Sequence, residues 1–129
     1  MTIALSTTVR NAGLDAITTG IGASGFLDIY NGARPVSGGA ATTKLAHLAL
    51  SATAAPASSA GLLTFNAITT SNALATGTAS WARYTTSGGT FVVDADVATS
   101  ASDINLNTVS IVSGGPVAIS SATITAPNP

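Results

Sequence analysis

Ala79-Ser80-Trp81-Ala82-Arg83-Tyr84-Thr85 and Thr90-Phe91-Val92-Val93-Asp94-Ala95-Asp96-Val97, joined across Ser87-Gly88-Gly89, decide the fold class. Both runs are rich in aromatic and β-branched residues. The glycine pair between them has the length and flexibility of a hairpin connection. In the second run Phe91, Val93, Ala95 and Val97 share one parity, while Asp94 and Asp96 share the other. A period of two predicts a strand with one face in a core and one in water.

Outward from this hairpin the same period recurs. Phe26-Leu27-Asp28-Ile29-Tyr30 reads as a strand ended by Asn31-Gly32, a strong turn dipeptide. The stretch from Ala33 to Thr43, with Pro35, Gly38 and Gly39, reads as a loop. Lys44 to Leu50 is the next strand, with Ala46, Leu48 and Leu50 on one face and Leu45, His47 and Ala49 on the other. Ser51 to Gly61 is small and reads as a loop or an extended arm reaching a neighbour. Leu62 to Ile68 is a further strand. Asp103 to Val112 and Val117 to Thr125 form a second predicted hairpin across Ser113-Gly114-Gly115-Pro116. Its apolar positions slip from even at Ile104 and Leu106 to odd at Val109 and Ile111, which predicts a turn or bulge near Asn107-Thr108. Ala126 to Pro129 reads as a frayed tail.

One segment has a different period. Val9, Ala12 or Gly13, Ala16 or Ile17, and Ile21 recur at spacings of three and four, with Ser6, Thr7 or Thr8 available as a cap and Gly20 and Gly22 as a stop. A helix over about 8–20 follows. Seven or so short strands after one helix predict a mainly β protein: an antiparallel β-sandwich, jelly-roll-like, with one N-terminal α-helix in a single domain spanning 1–129.

Composition narrows what this domain can do. Of 129 residues 46% are hydrophobic and only 7% charged, with a net charge of −1. Ala 25, Thr 20, Ser 15 and Gly 13 together make 73 residues, so alanine inflates the hydrophobic share. Val 8, Ile 9, Leu 10 and Phe 3 make 30, or 23%, just above the roughly 20% below which chains fail to fold alone. Soluble domains usually carry about 25% charged residues. So neutral a surface is either covered by partner subunits or belongs to an extracellular β-domain.

Arg10, Arg34, Lys44 and Arg83 are scattered singly, which argues against a nucleic-acid partner. No apolar run approaches the roughly 20 residues of a membrane span, so no membrane partner is expected. Met1 to Leu5 has no basic region followed by an apolar stretch, and predicts no classical secretory signal. With no Cys there is no disulfide, thiolate catalysis or Cys-based zinc site, and the redox compartment stays open.

Candidate chemistry is sparse. His47 is the single histidine, and Gly22-Ala23-Ser24-Gly25 lacks the spacing of a nucleophile elbow, so no hydrolase is expected. Asp94 and Asp96 are the one close carboxylate pair. They could ligate a hard cation or act as acid and base, but a solvated face is the simpler reading, with Arg83 on the adjacent strand balancing one of them. Trp81, Tyr84, Phe26 and Tyr30 could form a sugar-stacking platform, yet Trp81 and Tyr84 lie on opposite faces of their strand, which favours packing roles. Gly20 to Gly25 leaves a helix rather than entering one and is no phosphate loop. No catalytic residue, no cofactor and no metal site are assigned.

Five ordered motifs carry a resemblance. They are Val9-Arg10-Asn11-Ala12-Gly13-Leu14-Asp15-Ala16-Ile17, Leu27-Asp28-Ile29-Tyr30-Asn31-Gly32-Ala33-Arg34-Pro35, Gly77-Thr78-Ala79-Ser80-Trp81-Ala82-Arg83-Tyr84, Ser100-Ala101-Ser102-Asp103-Ile104-Asn105-Leu106, and Val117-Ala118-Ile119-Ser120 to Ile124-Thr125. Together they resemble small virion structural proteins of tailed bacteriophages, of the capsid decoration or cement type. The resemblance implies a non-enzymatic β-sandwich on the outer surface of the capsid. Its partners would be the major capsid protein and copies of itself, as a homo-dimer or trimer. Contacts are then expected from Thr2 to Leu5, Ser51 to Gly61 and Ala33 to Thr43. A tail, collar or fibre-associated protein and a carbohydrate-binding β-sandwich module are the alternatives.

Overall fold

The computed structural model describes residues 4–36 and 38–126. It is mainly β, a curled half-barrel sheet with one helix, consistent with the β-sandwich and N-terminal helix that the pattern predicts. Helix α1 (Thr7–Ile21) starts where Ser6 accepts a hydrogen bond from Val9 N (3.2 Å) and stops at Gly22. Ser6 is thus the cap among the three candidates, and such a cap contributes about 1 kcal/mol. The helix buries Leu14 and Ile21, each worth roughly 1.5–3 kcal/mol.

The strands are β1 (Phe26–Asn31), β2 (Lys44–Ala49), β3 (Leu62–Thr64), β4 (Ser71–Asn72), β5 (Gly77–Thr85), β6 (Phe91–Ala98), β7 (Ile104–Leu106), β8 (Ser110–Ile111), β9 (Pro116–Val117) and β10 (Ile119–Thr125). The main sheet runs β2-β1-β5-β6-β7-β10-β3, with β8 added to β5, and β4 pairs β9 separately. The β5–β6 hairpin is the predicted one, closed at Gly89, whose φ of 87° suits glycine. Its concave side holds the core: Leu27 and Ile29 of β1, Ala46 and Leu48 of β2, Ala82 and Tyr84 of β5, Ala95 and Val97 of β6, and Leu14 and Ile21 of the helix. Gly25 turns the chain from helix to sheet at close quarters; a Cβ there would lie 2.6 Å from Thr85 O.

Several expectations need correction. The strand begun at Leu62 ends at Thr64, because Asn66 turns away to bond Ala54 O through its N–H (2.9 Å) and Thr53 O through Nδ2 (2.9 Å). The segment 51–61 is not a free arm. Ser58 N donates to Asp15 Oδ1 (2.8 Å), Ser58 Oγ to Asn11 O (3.0 Å) and Gly61 N to Asn11 Oδ1 (2.9 Å), which ties it to the chain's own helix.

The second hairpin is also more divided than its sequence suggests. The break does fall at Asn107-Thr108, where Asn107 Oδ1 accepts from Thr108 N and Thr108 Oγ1 from Ser110 N. It sends β7 to β10 and β8 to β5, while β9 joins β4. One ladder, β6 with β7, is parallel: Val97 faces Ile104 and Ala98 faces Asn105. The tight connection between them is held by Asp96 N donating to Asp103 Oδ2 (3.3 Å) and Ser102 Oγ donating to Asp96 O (2.9 Å).

Candidate functional site

The convex face of β2-β1-β5-β6 gathers most of the chain's charge. Register places His47 opposite Asp28, Asp28 opposite Arg83, and Arg83 opposite Asp94, so the four form one transverse row across four strands. Directly opposed side chains of opposite charge attract across a sheet. His47 Nδ1 donates to Asp28 Oδ1, and Lys44 Nζ lies 3.2 Å from Asp28 Oδ2. Arg83 grips Asp94 with two bonds, Nε to Oδ1 (2.7 Å) and Nη2 to Oδ2 (3.1 Å). That fork holds the guanidinium proton even more firmly than usual, raising the Arg83 pKa. Beyond the row, Arg34 Nε reaches Asp96 Oδ1 at 3.5 Å near the surface.

Above this row lies the loop from 32 to 43. Arg83 Nη2 donates to Gly39 O (2.9 Å), and the Arg83 guanidinium sits 5.2 Å from the Trp81 ring and 5.0 Å from the Phe91 ring. Trp81 stacks on Tyr30 at 4.4 Å, and its Nε1 donates to Asn31 O (3.0 Å) and Thr42 Oγ1 (3.1 Å). Trp81 is completely buried although it points away from the main core. Burial, and secondarily Asp28, raises the Tyr30 pKa. The loop therefore makes a small second core on the face that alternation assigns to water. Asp94 is accordingly not solvated: its side chain is only 6% exposed.

Each candidate group now has a place. His47 is committed to Asp28 and stacked on Phe26 at 4.2 Å. Asp94 and Asp96 face different arginines, and no cluster of three potential metal ligands exists among the described residues. Trp81, Tyr84, Phe26 and Tyr30 form no open platform, since Trp81 and Tyr30 stack beneath the loop while Tyr84 stacks with Phe65 at 4.4 Å in the main core. Asp28 was not singled out by its sequence, yet it anchors both His47 and Lys44. The signal was there: an acid between Leu27 and Ile29 must sit on the opposite face from them.

The exterior is correspondingly neutral and carries projecting apolar groups. Val36 at the loop tip is 88% exposed, Val112 62% and Leu74 60%. An apolar groove of about 280 Å³ runs between the helix and β10, lined by Leu5, Val9, Gly13, Ile17 and Ile124 among others. A second cleft of about 500 Å³ lies between the loop residues Arg34 to Val36 and the strand residues Phe91 to Asp94. Of the three expected contact segments, Thr2 and Ile3 lie outside the described residues, 51–61 is tied down, and 33–43 presents its tip. No helix among the described residues is long and apolar enough to cross a membrane.

No protein-family profile, curated protein or solved structure matches this chain.

Proposed function

We propose that the protein is a non-enzymatic structural subunit of a tailed-phage virion, one that decorates and cements the outer surface of the capsid by binding the major capsid protein and itself. The observation that carries this reading is where the charges sit. Six of the nine charged side chains are spent within the chain as the pairs Arg34–Asp96, Lys44–Asp28 and Arg83–Asp94. Arg34, Asp96 and Lys44 stay partly exposed but paired, and the remaining outer surface is largely alanine, threonine and serine with a few projecting aliphatics. Such a surface can be covered by a neighbour without stripping water from unpaired ions, the step that makes buried charge costly. Around 800 Å² per partner suffices for a specific contact, and repetition over a shell multiplies modest contacts into avidity.

Function of this kind makes and breaks no covalent bond, so it requires no cofactor. It needs neither nucleic acid nor a membrane. The carbohydrate alternative has less support, because the ring best suited to stack on a sugar, Trp81, lies under the loop. Mixing the purified protein with bare shells tests the proposal: saturable binding in numbers close to those of the major capsid protein supports it. Binding confined to tails would move the protein to the tail-associated alternative.

A further inference from the structure

We propose that the apolar groove between α1 and β10 binds a free aliphatic carboxylate of medium chain length, its chain along the helix and its carboxylate at Arg10. The site is separate from the capsid contacts proposed above and does not depend on them.

Charge is the first support. Arg34, Lys44 and Arg83 each face a carboxylate, whereas Arg10 has no ion pair among the described residues. Its Nη2 donates to Thr7 Oγ1 (3.3 Å), and its Nε is buried with no acceptor. The guanidinium is nevertheless held in place. It packs so closely on Gly61 that a Cβ there would lie 2.4 Å from Nη1. Arg10 lines the groove toward the end where the helix begins, and the first helical turn carries no acidic residue. The partial positive charge of the helix N-terminus therefore adds to that of the guanidinium. What this end of the groove lacks is an anion.

Space is the second. Gly13 sits inside the helix, about one turn from Arg10 and from Ile17, although glycine is a poor helix former. No crowding demands it, since nothing lies within 4 Å of where its Cβ would be. With Ile17, Ile124 and the buried Leu14 around it, the missing side chain leaves an open apolar trough of about 280 Å³. Arg10 to Ile17 spans about 10 Å along the helix axis. Drug-sized ligands fill pockets of roughly 300–1,000 Å³, so this volume suits one narrow chain.

The third support is what the walls cannot offer. From Arg10 onward the helix N–H groups bond within the helix, Ile124 is paired with Leu63 of β3, and Ala126 N donates to Gly61 O (2.9 Å). An extended peptide laid in the groove would leave most of its own backbone groups unpaired against apolar side chains. An alkyl chain has none to satisfy.

Calorimetric titration of the full chain with decanoate, kept below the concentration at which it forms micelles, tests the proposal. Saturable binding of one decanoate per chain is expected, about tenfold tighter than 1-decanol, which shares the chain but not the charge. Arg10→Met keeps an apolar stem and should erase that difference. Gly13→Leu should weaken decanoate at least tenfold by filling the trough, and leucine favours a helix more than glycine does, so the fold is kept. A wild type that takes up no decanoate overturns the proposal, as does equal affinity for the alcohol. Uptake indifferent to Gly13→Leu overturns it too, as adventitious binding elsewhere. If only a chain begun at Ala4 bound decanoate, the groove would belong to the chain's own N-terminal residues. If the wild type ignored decanoate but Gly13→Leu lost shells, it would belong to the capsid protein. Either result sinks the assignment to a free acid, and shell binding is judged by its own titration.

Discussion

The convex face under the 32–43 loop and the lower edge of β6 are neighbours with opposite characters. On the face, the charged groups and the indole are partnered: Asp28 holds His47 and Lys44, Arg83 holds Asp94 and Gly39 O, and Trp81 Nε1 has two acceptors. Along the edge, half-buried Phe91, Val92 and Val93 line a cleft beside Val36, and the strand has no partner of its own there. A soluble monomer distributes these roles the other way, with charge outside and apolar groups satisfied inside. The contrast teaches that charge in this protein serves to fasten a loop, which frees the rest of the surface for contact.

The largest effect should come from removing the fastening. Arg83→Ala strands Asp94 in a nearly closed site and releases Gly39, which should cost about 3–5 kcal/mol in a denaturant titration. Total stabilities are commonly only about 5–15 kcal/mol, so this variant borders on unfolding. If it lost less than about 1 kcal/mol, the face would be an ordinary solvated one. Trp81→Phe keeps the stack on Tyr30 but removes the donor to Asn31 O and Thr42 Oγ1, for an expected loss of about 1–3 kcal/mol.

Tyr84 sharpens the comparison from the core side, where its buried hydroxyl has no hydrogen-bond partner. Tyr84→Phe should therefore change stability at neutral pH by less than about 1 kcal/mol, or raise it. Burial, with a smaller contribution from Asp103, raises the Tyr84 pKa well above the phenol value of 10.0. The neutral form is thus favoured in the folded state. Stability from this group is fully present below pH 10 and is lost as pH climbs above it, when the unfolded tyrosine ionises and the folded one does not. Alkaline titration of Tyr84→Phe should show a shallower loss than the wild type, with Tyr30 accounting for part of the remainder.

The smallest effect on folding belongs to the projecting residues. Val36→Ser, Leu74→Ser and Val112→Ser should each shift stability by no more than about 0.5 kcal/mol. Those that touch a partner should nevertheless weaken its binding by roughly tenfold or more, measured by titration onto shells.

How much of this was legible beforehand varies along the chain. The β5–β6 hairpin, the helix and the break at Asn107-Thr108 could be read because each is local: a period, a cap or a parity slip. The Arg83–Asp94 pair was within reach because both residues sit on one hairpin. The row to His47 was not, since it needs the register of β1 against both β2 and β5. Nor was the burial of Asp94 and Trp81, which is caused by a loop whose Gly and Pro content signals a turn without saying where it lies. The segment 51–61 misled for a related reason: its small residues look flexible, and only Asn11 and Asp15 on a distant helix hold it.

One measurement bears most directly on the proposed capsid-decorating role: titration of the purified protein onto bare tailed-phage capsids, read as bound copies per shell and as the temperature at which the shells rupture. The account expects saturation near one copy per major capsid subunit, or a fixed simple fraction of that number, with rupture moved to higher temperature. A folded protein that leaves shells undecorated at every concentration would contradict it.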